Sequence, residues 1–209
     1  YDWLKGAGYD TVISERWALV AEESALQCAT LGAGSRVAVE ARCVQAWALA
    51  RRAAESRDGG AGLAAEARSR LVALLPVIEA RDDVDAASDC LGALGEFAEA
   101  EGDLELAIDY YRRAVARSTR INGAADEHVV QTRSYLVDSL RKRERWTEAL
   151  VELDALLLVQ REHDRGFSAW TIRFAMQRGE ALLRLGRLDE AVRQLVETDE
   201  LVRDRIGPN

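Results

Sequence analysis

The chain contains 209 residues, with 28 basic and 36 acidic side chains and a formal net charge of −8. Its length fits one domain of ordinary size or an array of repeats. The acidic balance argues against a general nucleic-acid binder. Two prolines are too few for a loop-rich β-sandwich or a disordered linker. No apolar run approaches the roughly 18 residues that a membrane-spanning helix needs.

The N-terminal segment is predicted to be a helical cap that covers residues 1–35. It begins at Tyr1 without a basic and then apolar leader, so we expect no signal peptide. The three cysteines, Cys28, Cys43 and Cys90, are widely spaced and form no CxxC motif. An odd number of isolated cysteines suits a reducing compartment, and we therefore expect a cytoplasmic protein.

Apolar residues recur at intervals of three and four through almost the whole chain, which is the pattern of helices with one buried face. Trp146, Ala149, Leu150 and Leu153 show it clearly. No run of alternating β-branched residues predicts a strand. Short breaks that contain glycine or polar residues separate the apolar runs, as helix ends require. They predict an all-α chain of about nine helices, near 11–31, 36–57, 61–80, 83–101, 104–121, 126–142, 146–163, 168–185 and 188–205.

Internal repetition is the strongest signal in the sequence. The segments GDLELAI, ERWTEAL and GRLDEAV align without gaps and place an alanine every 42 residues, at Ala107, Ala149 and Ala191. Each period contains a helix, a tight turn, a second helix and a longer turn. Hairpins of this kind bury their apolar faces by stacking on their neighbours. We therefore predict three hairpins, over 83–122, 123–165 and 166–209, after a divergent hairpin over 36–82 in which Pro76 should end or kink the second helix.

The spacing of small and large residues in these hairpins resembles that of tetratricopeptide repeats. The residues that carry the resemblance are Leu94, Gly95, Ala98, Gly102, Leu104, Ala107, Ile108, Tyr111, Ala114 and Val115, and then Gly179, Leu182, Gly186, Leu188, Ala191, Val192 and Leu195. It covers residues 83–209 well and 36–82 loosely. The usual period of tetratricopeptide repeats is about 34 residues. The 42-residue period of this chain is longer and is similar to that of kinesin-light-chain-like repeats, which are common in actinobacterial multidomain proteins. The resemblance implies an α-solenoid of stacked antiparallel hairpins; a HEAT- or armadillo-like array is the alternative, with periods of about 40–47 residues.

In tetratricopeptide repeats, the first helix of each hairpin lines a concave groove that binds peptide or protein segments. Carried over in register, the resemblance implies these ligand-binding residues: Asp89, Glu96, Glu99, Gln131, Ser134, Asp138, Arg141, Lys142, Arg173, Met176, Glu180 and Arg184. The groove would grade from acidic to basic toward its C-terminal end. Arginines there would make bidentate contacts with acidic side chains or a terminal carboxylate. The alternative is that these charges only keep the array in solution.

One known ligand class does not fit the resemblance. Chaperone-binding members of the family hold two carboxylates with Lys and Asn on their first helices, where this chain has Gly92, Glu96, Ser134 and Asp138. Chaperone tails are therefore not expected ligands.

Aromatic residues are the other candidate anchors. Tyr111 and Trp146 fall on apolar stripes and are predicted to be core, whereas Tyr110 falls off its stripe and is predicted to be exposed. Phe167 and Trp170 open a first helix near the rim of the groove.

No motif predicts chemistry. The sequence contains no Walker A run, no HExxH and no GxSxG. Its two histidines, His128 and His163, stand near predicted helix ends, where a surface role at the helix dipole is favoured over catalysis or metal binding. Cys43 and Cys90 have apolar neighbours and are interpreted as small core residues. We therefore expect no enzyme activity, no cofactor and no metal.

The leading functional hypothesis is a non-enzymatic interaction or sensor module that binds a peptide or protein segment, without direct contact to nucleic acid or membrane. The chain begins without Met and ends where another repeat would start, so we expect a fragment of a larger signalling or regulatory protein. One alternative is the effector-sensing domain of a transcriptional regulator, binding a small molecule or signalling peptide. Another is a structural or oligomerising repeat. Ligand identity and oligomeric state stay open.

Overall fold

The computed structural model describes residues 35–55, 61–81, 86–163 and 168–206, together with Leu19, Glu23 and Leu26. These residues contain no strand and form eight helices, where the sequence predicts about nine. The predicted first helix, near 11–31, lies outside the described residues except for Leu19, Glu23 and Leu26, which are helical. The eight are α1 (Arg36–Glu55), α2 (Ala61–Glu79), α3 (Ala87–Ala100), α4 (Leu104–Asn122), α5 (Glu127–Lys142), α6 (Trp146–His163), α7 (Ala169–Arg184) and α8 (Leu188–Ile206).

The chain divides into two compact units, Tyr1–Glu101 and Gly102–Asn209. In the first unit, α1 packs against α2 and α3. Its core includes Val39, Leu71 and Ile78, and the thiols of Cys43 and Cys90 are buried with them, as predicted. A hydrogen bond with Cys43, together with burial, raises the pKa of the Cys90 thiol well above its usual value. Cys90 is therefore a core group whose protonated form is favoured.

The second unit is a succession of five helices in which each helix packs against the next. One core cluster joins α5, α6, α7 and α8, and its largest side chains include Leu153, Leu156, Phe174 and Leu182. The repeated alanines Ala107, Ala149 and Ala191 are all completely buried. Their small size leaves room for close approach of neighbouring helices, which is the role that the repeat pattern predicts for them.

A similar close approach occurs at Gly179 on α7. A Cβ atom at this position would lie 2.7 Å from Cδ2 of Leu195 on α8, closer than carbon atoms approach without a shift. The glycine therefore lets the Leu195 side chain lie directly on the α7 backbone.

Side-chain caps start three of the helices in the second unit. The carboxylate of Asp126 accepts from the backbone N–H of His128 at 3.0 Å, and the hydroxyl of Ser168 accepts from Thr171 at 3.1 Å. Asp103 caps α4 in the same way. These caps satisfy N–H groups that have no partner within the helix. Asp126 and Ser168 stand 42 residues apart, which is the spacing of the repeated alanines in the sequence.

The tight turn between the helices of a hairpin needs one residue with positive φ. The equivalent turns place there Gly102 (84°), Glu144 (56°) and Gly186 (73°). After Glu144, the N–H of Arg145 donates to the carbonyl of Leu140 at 2.9 Å, and an equivalent bond follows Gly186. This arrangement is a Schellman helix end, which favours glycine at the left-handed position. Glu144 therefore holds a conformation that costs a side chain about 1–2 kcal/mol.

Replacing Glu144 with glycine should raise the free energy of unfolding by about 1 kcal/mol, because it removes the left-handed penalty. Urea unfolding followed by circular dichroism measures the change. The matched control is Glu197→Gly at an exposed position within α8, where glycine should lower stability by about 1 kcal/mol. A loss of stability in both variants would contradict this account of the turn.

Helix α2 contains Pro76 and continues to Glu79. The sequence predicts that Pro76 ends or kinks the helix, but the helix does not end there, because the proline lies in its last turn. The Pro76 carbonyl still accepts from the N–H of Ala80 at 3.3 Å. The ring removes one bond near the end of a helix that stops within a turn.

Candidate functional site

Polar side chains of α5 and α7 meet on one face of the second unit. The carboxylate of Asp138 on α5 accepts from Arg173 at 2.6 Å and from the Gln177 amide at 2.9 Å, both on α7. It also accepts from Arg141 on its own helix at 3.2 Å. Asp138 thus accepts hydrogen bonds from three donors and joins α5 to α7.

The same network continues to Glu180 on α7, whose carboxylate accepts from the second amino group of Arg141. Asp138, Arg141, Arg173 and Glu180 therefore form a charge-balanced set of two carboxylates and two guanidinium groups. The sequence predicts a basic end of the groove at these residues. Here the positive charge of the two arginines is balanced by neighbouring acids, because helices spaced by one repeat bring Asp138 and Glu180 beside them.

An open cleft of about 550 Å³ lies beside this network. Its apolar lining comes from α7, where Ala169, Ile172 and Met176 follow one another at helical spacing. Met176 is 57% exposed, and Ile172 is half-buried. The cleft therefore combines an apolar strip with a polar border of hydrogen-bonded side chains.

Other residues predicted for the groove lie in different settings. Gln131 donates from its amide to the Tyr135 hydroxyl at 2.9 Å. Ser134 is buried, and its hydroxyl donates to the Gln131 carbonyl at 2.8 Å, so it is not available at the surface. Lys142 is exposed at the end of α5, and the guanidinium of Arg184 lies 5.4 Å from the ring centroid of Trp146. None of these four residues lines the cleft.

The three acidic residues predicted for the middle of the groove lie on α3 in the first unit. Asp89 is exposed, and Glu96 and Glu99 are half-buried. Glu96 faces Arg51 of α1 at 3.6 Å. Burial raises the pKa of Glu96 above its usual value, while the positive charge of Arg51 acts in the opposite direction. Their membership of one groove with the α5–α7 residues stays a prediction from the repeat register.

One aromatic prediction is wrong. Tyr110 is only 9% exposed, because α4 buries a face wide enough to include both Tyr110 and Tyr111. The guanidinium of Arg113 lies 5.5 Å from its ring. The core positions predicted for Tyr111 and Trp146 are confirmed, since Tyr111 is buried and Trp146 packs against the core cluster.

Near the rim of the cleft, Trp170 is exposed and its ring lies 5.5 Å from that of Phe174. His128 is exposed. Phe167 and the side chain of His163 lie outside the described residues.

The second helices of the hairpins carry their own inter-repeat network. Glu105 on α4 accepts from Arg143 at 2.9 Å and from Arg145 at 2.8 Å. Arg112 on α4 pairs with Glu148 on α6. The hydrogen bond from Arg145 is the main cause that lowers the pKa of Glu148. Ion pairs therefore link α5 to α7 on one face of the second unit and α4 to α6 on the other.

Among the described residues, no cluster of His, Cys, Asp and Glu could hold a metal ion. Within the same part of the chain, no helix is both long and apolar enough to cross a membrane.

Comparison with known proteins identifies the fold. No protein-family model and no curated protein matches the sequence. A kinesin-light-chain protein of Podosopora anserina with nearly identical TPR-like repeats has a similar structure, with a TM-score of 0.67, 15% identity, and coverage of 94% of this chain and 91% of that chain. BtubC (BKLC) from P. vanneervenii gives 0.58 at 15% identity, with coverage of 97% and 94%.

A third similar structure is PlcR of Bacillus thuringiensis, solved in complex with the peptide PapR7 and DNA. Its TM-score is 0.52 at 14% identity, and the match covers 92% of this chain and 66% of that chain. All three sequence identities are low, so the comparisons show similarity of fold and nothing further. The described helices form a tetratricopeptide-like helical repeat structure.

Proposed function

We propose that this chain is a non-enzymatic protein-binding module, and that it holds an extended peptide segment across α5 and α7. The observation that carries the proposal is the apolar strip beside the Asp138 network, formed by the exposed Met176 and the half-buried Ile172. Each Å² of apolar surface that a partner buries on this strip contributes about 25 cal/mol to the free energy of binding. The similarity to TPR-like repeat proteins supports a binding role over catalysis.

The network gives this surface a defined shape. Asp138 receives donors from Arg141, Arg173 and Gln177, so the polar side chains around the strip are already ordered without a ligand. A preordered border lowers the entropy cost of binding. Because both arginines already have carboxylate partners, an acidic ligand would have to displace Asp138 or Glu180. We therefore expect apolar contacts to contribute more than a terminal carboxylate.

A peptide library displayed against the full chain tests the proposal. Peptides selected by the native chain should carry a large apolar residue, and Met176→Glu should weaken their binding by at least tenfold, because it places a charge on the strip. The matched control is Leu158→Glu on α6, equally exposed at 57%, which should leave affinity within twofold. Selected peptides that bind both variants like the native chain would refute this site.

The second candidate is an effector-sensing domain of a transcriptional regulator, and the similarity to PlcR favours it. In that case a DNA-binding segment would be joined to this one in the natural protein. Intact mass and peptide mapping of the protein from its own cells would reveal such a segment. A free-standing product would favour an adaptor over a regulator.

A further inference from the structure

A second cleft lies in the first unit, between α2 and α3. Its volume is about 560 Å³, within the range of about 300–1,000 Å³ typical of small-molecule sites. Ala64, Ala65 and Val72 of α2 form one wall, and Phe97 of α3 contributes to the other. Val72 is exposed, so the cleft opens to solvent over an apolar lining.

The repeat register explains why this cleft exists. Aligning Ala67 with Ala107 and Ala149 places Ala64 where α6 has Trp146, and Arg68 where α6 has Leu150. In the second unit, Trp146 and Leu150 pack with the core cluster that includes residues of α7. Helix α2 has a methyl group in place of the indole, and a guanidinium in place of the leucine side chain. Helix α2 is therefore smaller than α6 on the face that meets the next helix, and α3 places the large Phe97 opposite it, where the aligned position of α7 is Ala181.

The polar rim of the cleft is small and cationic at one point. Arg68 pairs with Glu101 at 3.1 Å, with about half of each side chain exposed. An ion pair with this exposure contributes little stability, so a competing carboxylate can replace Glu101 at modest cost. The Ser69 hydroxyl lies at the same rim and can donate a second hydrogen bond.

We infer that the cleft between α2 and α3 binds a small planar aromatic molecule that carries a carboxylate. The aromatic ring occupies the space that an indole fills in the equivalent contact, against Ala64, Val72 and Phe97. The carboxylate takes the place of Glu101 on Arg68. This site lies in the first unit and shares no residue with the α5–α7 surface. Refutation of one site would therefore leave the proposal for the other unaffected.

The test titrates 2-naphthoate into the full chain and follows binding by saturation-transfer NMR, with 2-naphthamide as the neutral probe of the same shape. We expect saturable binding of the naphthoate and at least fivefold weaker binding of the amide. Ala64→Trp should weaken naphthoate binding at least tenfold, because it restores the side chain found at the equivalent position of α6. Arg68→Gln should abolish the preference for the carboxylate.

The control is Ala73→Trp, the same substitution at an exposed position of the same helix outside the cleft, which should keep affinity within twofold. Circular dichroism checks the fold of each variant. If Ala64→Trp does not fold, Val72→Glu takes its place, since a carboxylate in the cleft should repel the probe to the same extent. Binding that is not saturable, or that Ala64→Trp leaves intact, overturns the inference. So does tighter binding of a tryptophan-containing peptide at this cleft, which would indicate a protein partner.

Discussion

Replacing Phe174 with alanine should lower the free energy of unfolding by about 3–5 kcal/mol, the range for deleting a buried aromatic side chain. Phe174 is completely buried in the core cluster of the second unit, together with Leu153, Leu156 and Leu182. Its ring also lies 5.5 Å from that of Trp170. The substitution therefore removes contacts to both the core and the rim of the α5–α7 surface.

Urea unfolding followed by far-ultraviolet circular dichroism measures this loss. Val151→Ala is the control, because Val151 is 63% exposed on α6, and surface substitutions of this kind stay within about 0.5 kcal/mol. If Phe174→Ala costs less than about 1 kcal/mol, the ring is not the core element that its burial indicates.

Replacing Asp138 with alanine should lower the free energy of unfolding by about 1–2 kcal/mol. The substitution leaves Arg141, Arg173 and Gln177 without the acceptor that they share. Hydrogen bonds to charged groups contribute about 1.5–3 kcal/mol each, but these side chains are partly exposed, so water replaces part of the loss. The same variant should disorder the border of the apolar strip and weaken selected peptides.

A double-mutant cycle with Arg173→Ala isolates the contact between the two helices. We expect a coupling energy of about 0.5–1 kcal/mol between Asp138 and Arg173, because they lie on different helices and make direct contact. The control is Asp109→Ala, which removes an exposed pair with Arg113 within α4 and should cost no more than about 0.5 kcal/mol. Independent effects of Asp138 and Arg173 would show that this ion pair does not contribute to the joining of α5 to α7.

Helix positions were predictable from the sequence because apolar spacing and glycine-containing breaks are local signals. Helix α6 begins at Trp146 and ends at His163 as predicted, and α4 and α8 differ by one residue at their C-terminal ends. Tyr110 was not predictable in this way. The width of a buried face depends on how the neighbouring helices lie across it, and that information is not carried by the spacing within α4 alone.

The candidate site was predictable only in part. The repeat register placed Asp138, Arg141, Arg173, Met176 and Glu180 on first helices, and the structure brings them together. Their charge balance was not foreseen, because it depends on which acid of one repeat meets which arginine of the next. Gln177 was missed, although its position one helical turn after Arg173 is a signal that a search for neighbours on the same face would have found.

The left-handed turn at Glu144, in contrast, could have been predicted from the sequence. Glycine at two equivalent turns identifies the conformation that the third must adopt, so Glu144 could have been recognised as strained from the alignment alone. The cleft in the first unit is a comparable case. The sequence places Ala64 and Arg68 at the positions of Trp146 and Leu150, which indicates a smaller face on α2. Only the packing of α2 and α3 shows that an opening lies there.

Helix α8 has a buried side formed by Ala191 and neighbours, and it exposes Leu188, Val192 and Val196. The equivalent face of α6 is supported by α7, so within the described helices α6 has neighbours on both sides and α8 on one. In a quasi-one-dimensional array, stability propagates through nearest neighbours, and α6 is coupled to such a neighbour on each side. We therefore expect the backbone amides of α6 to exchange with solvent among the slowest of the second unit, because their opening requires the loss of contacts to both α5 and α7.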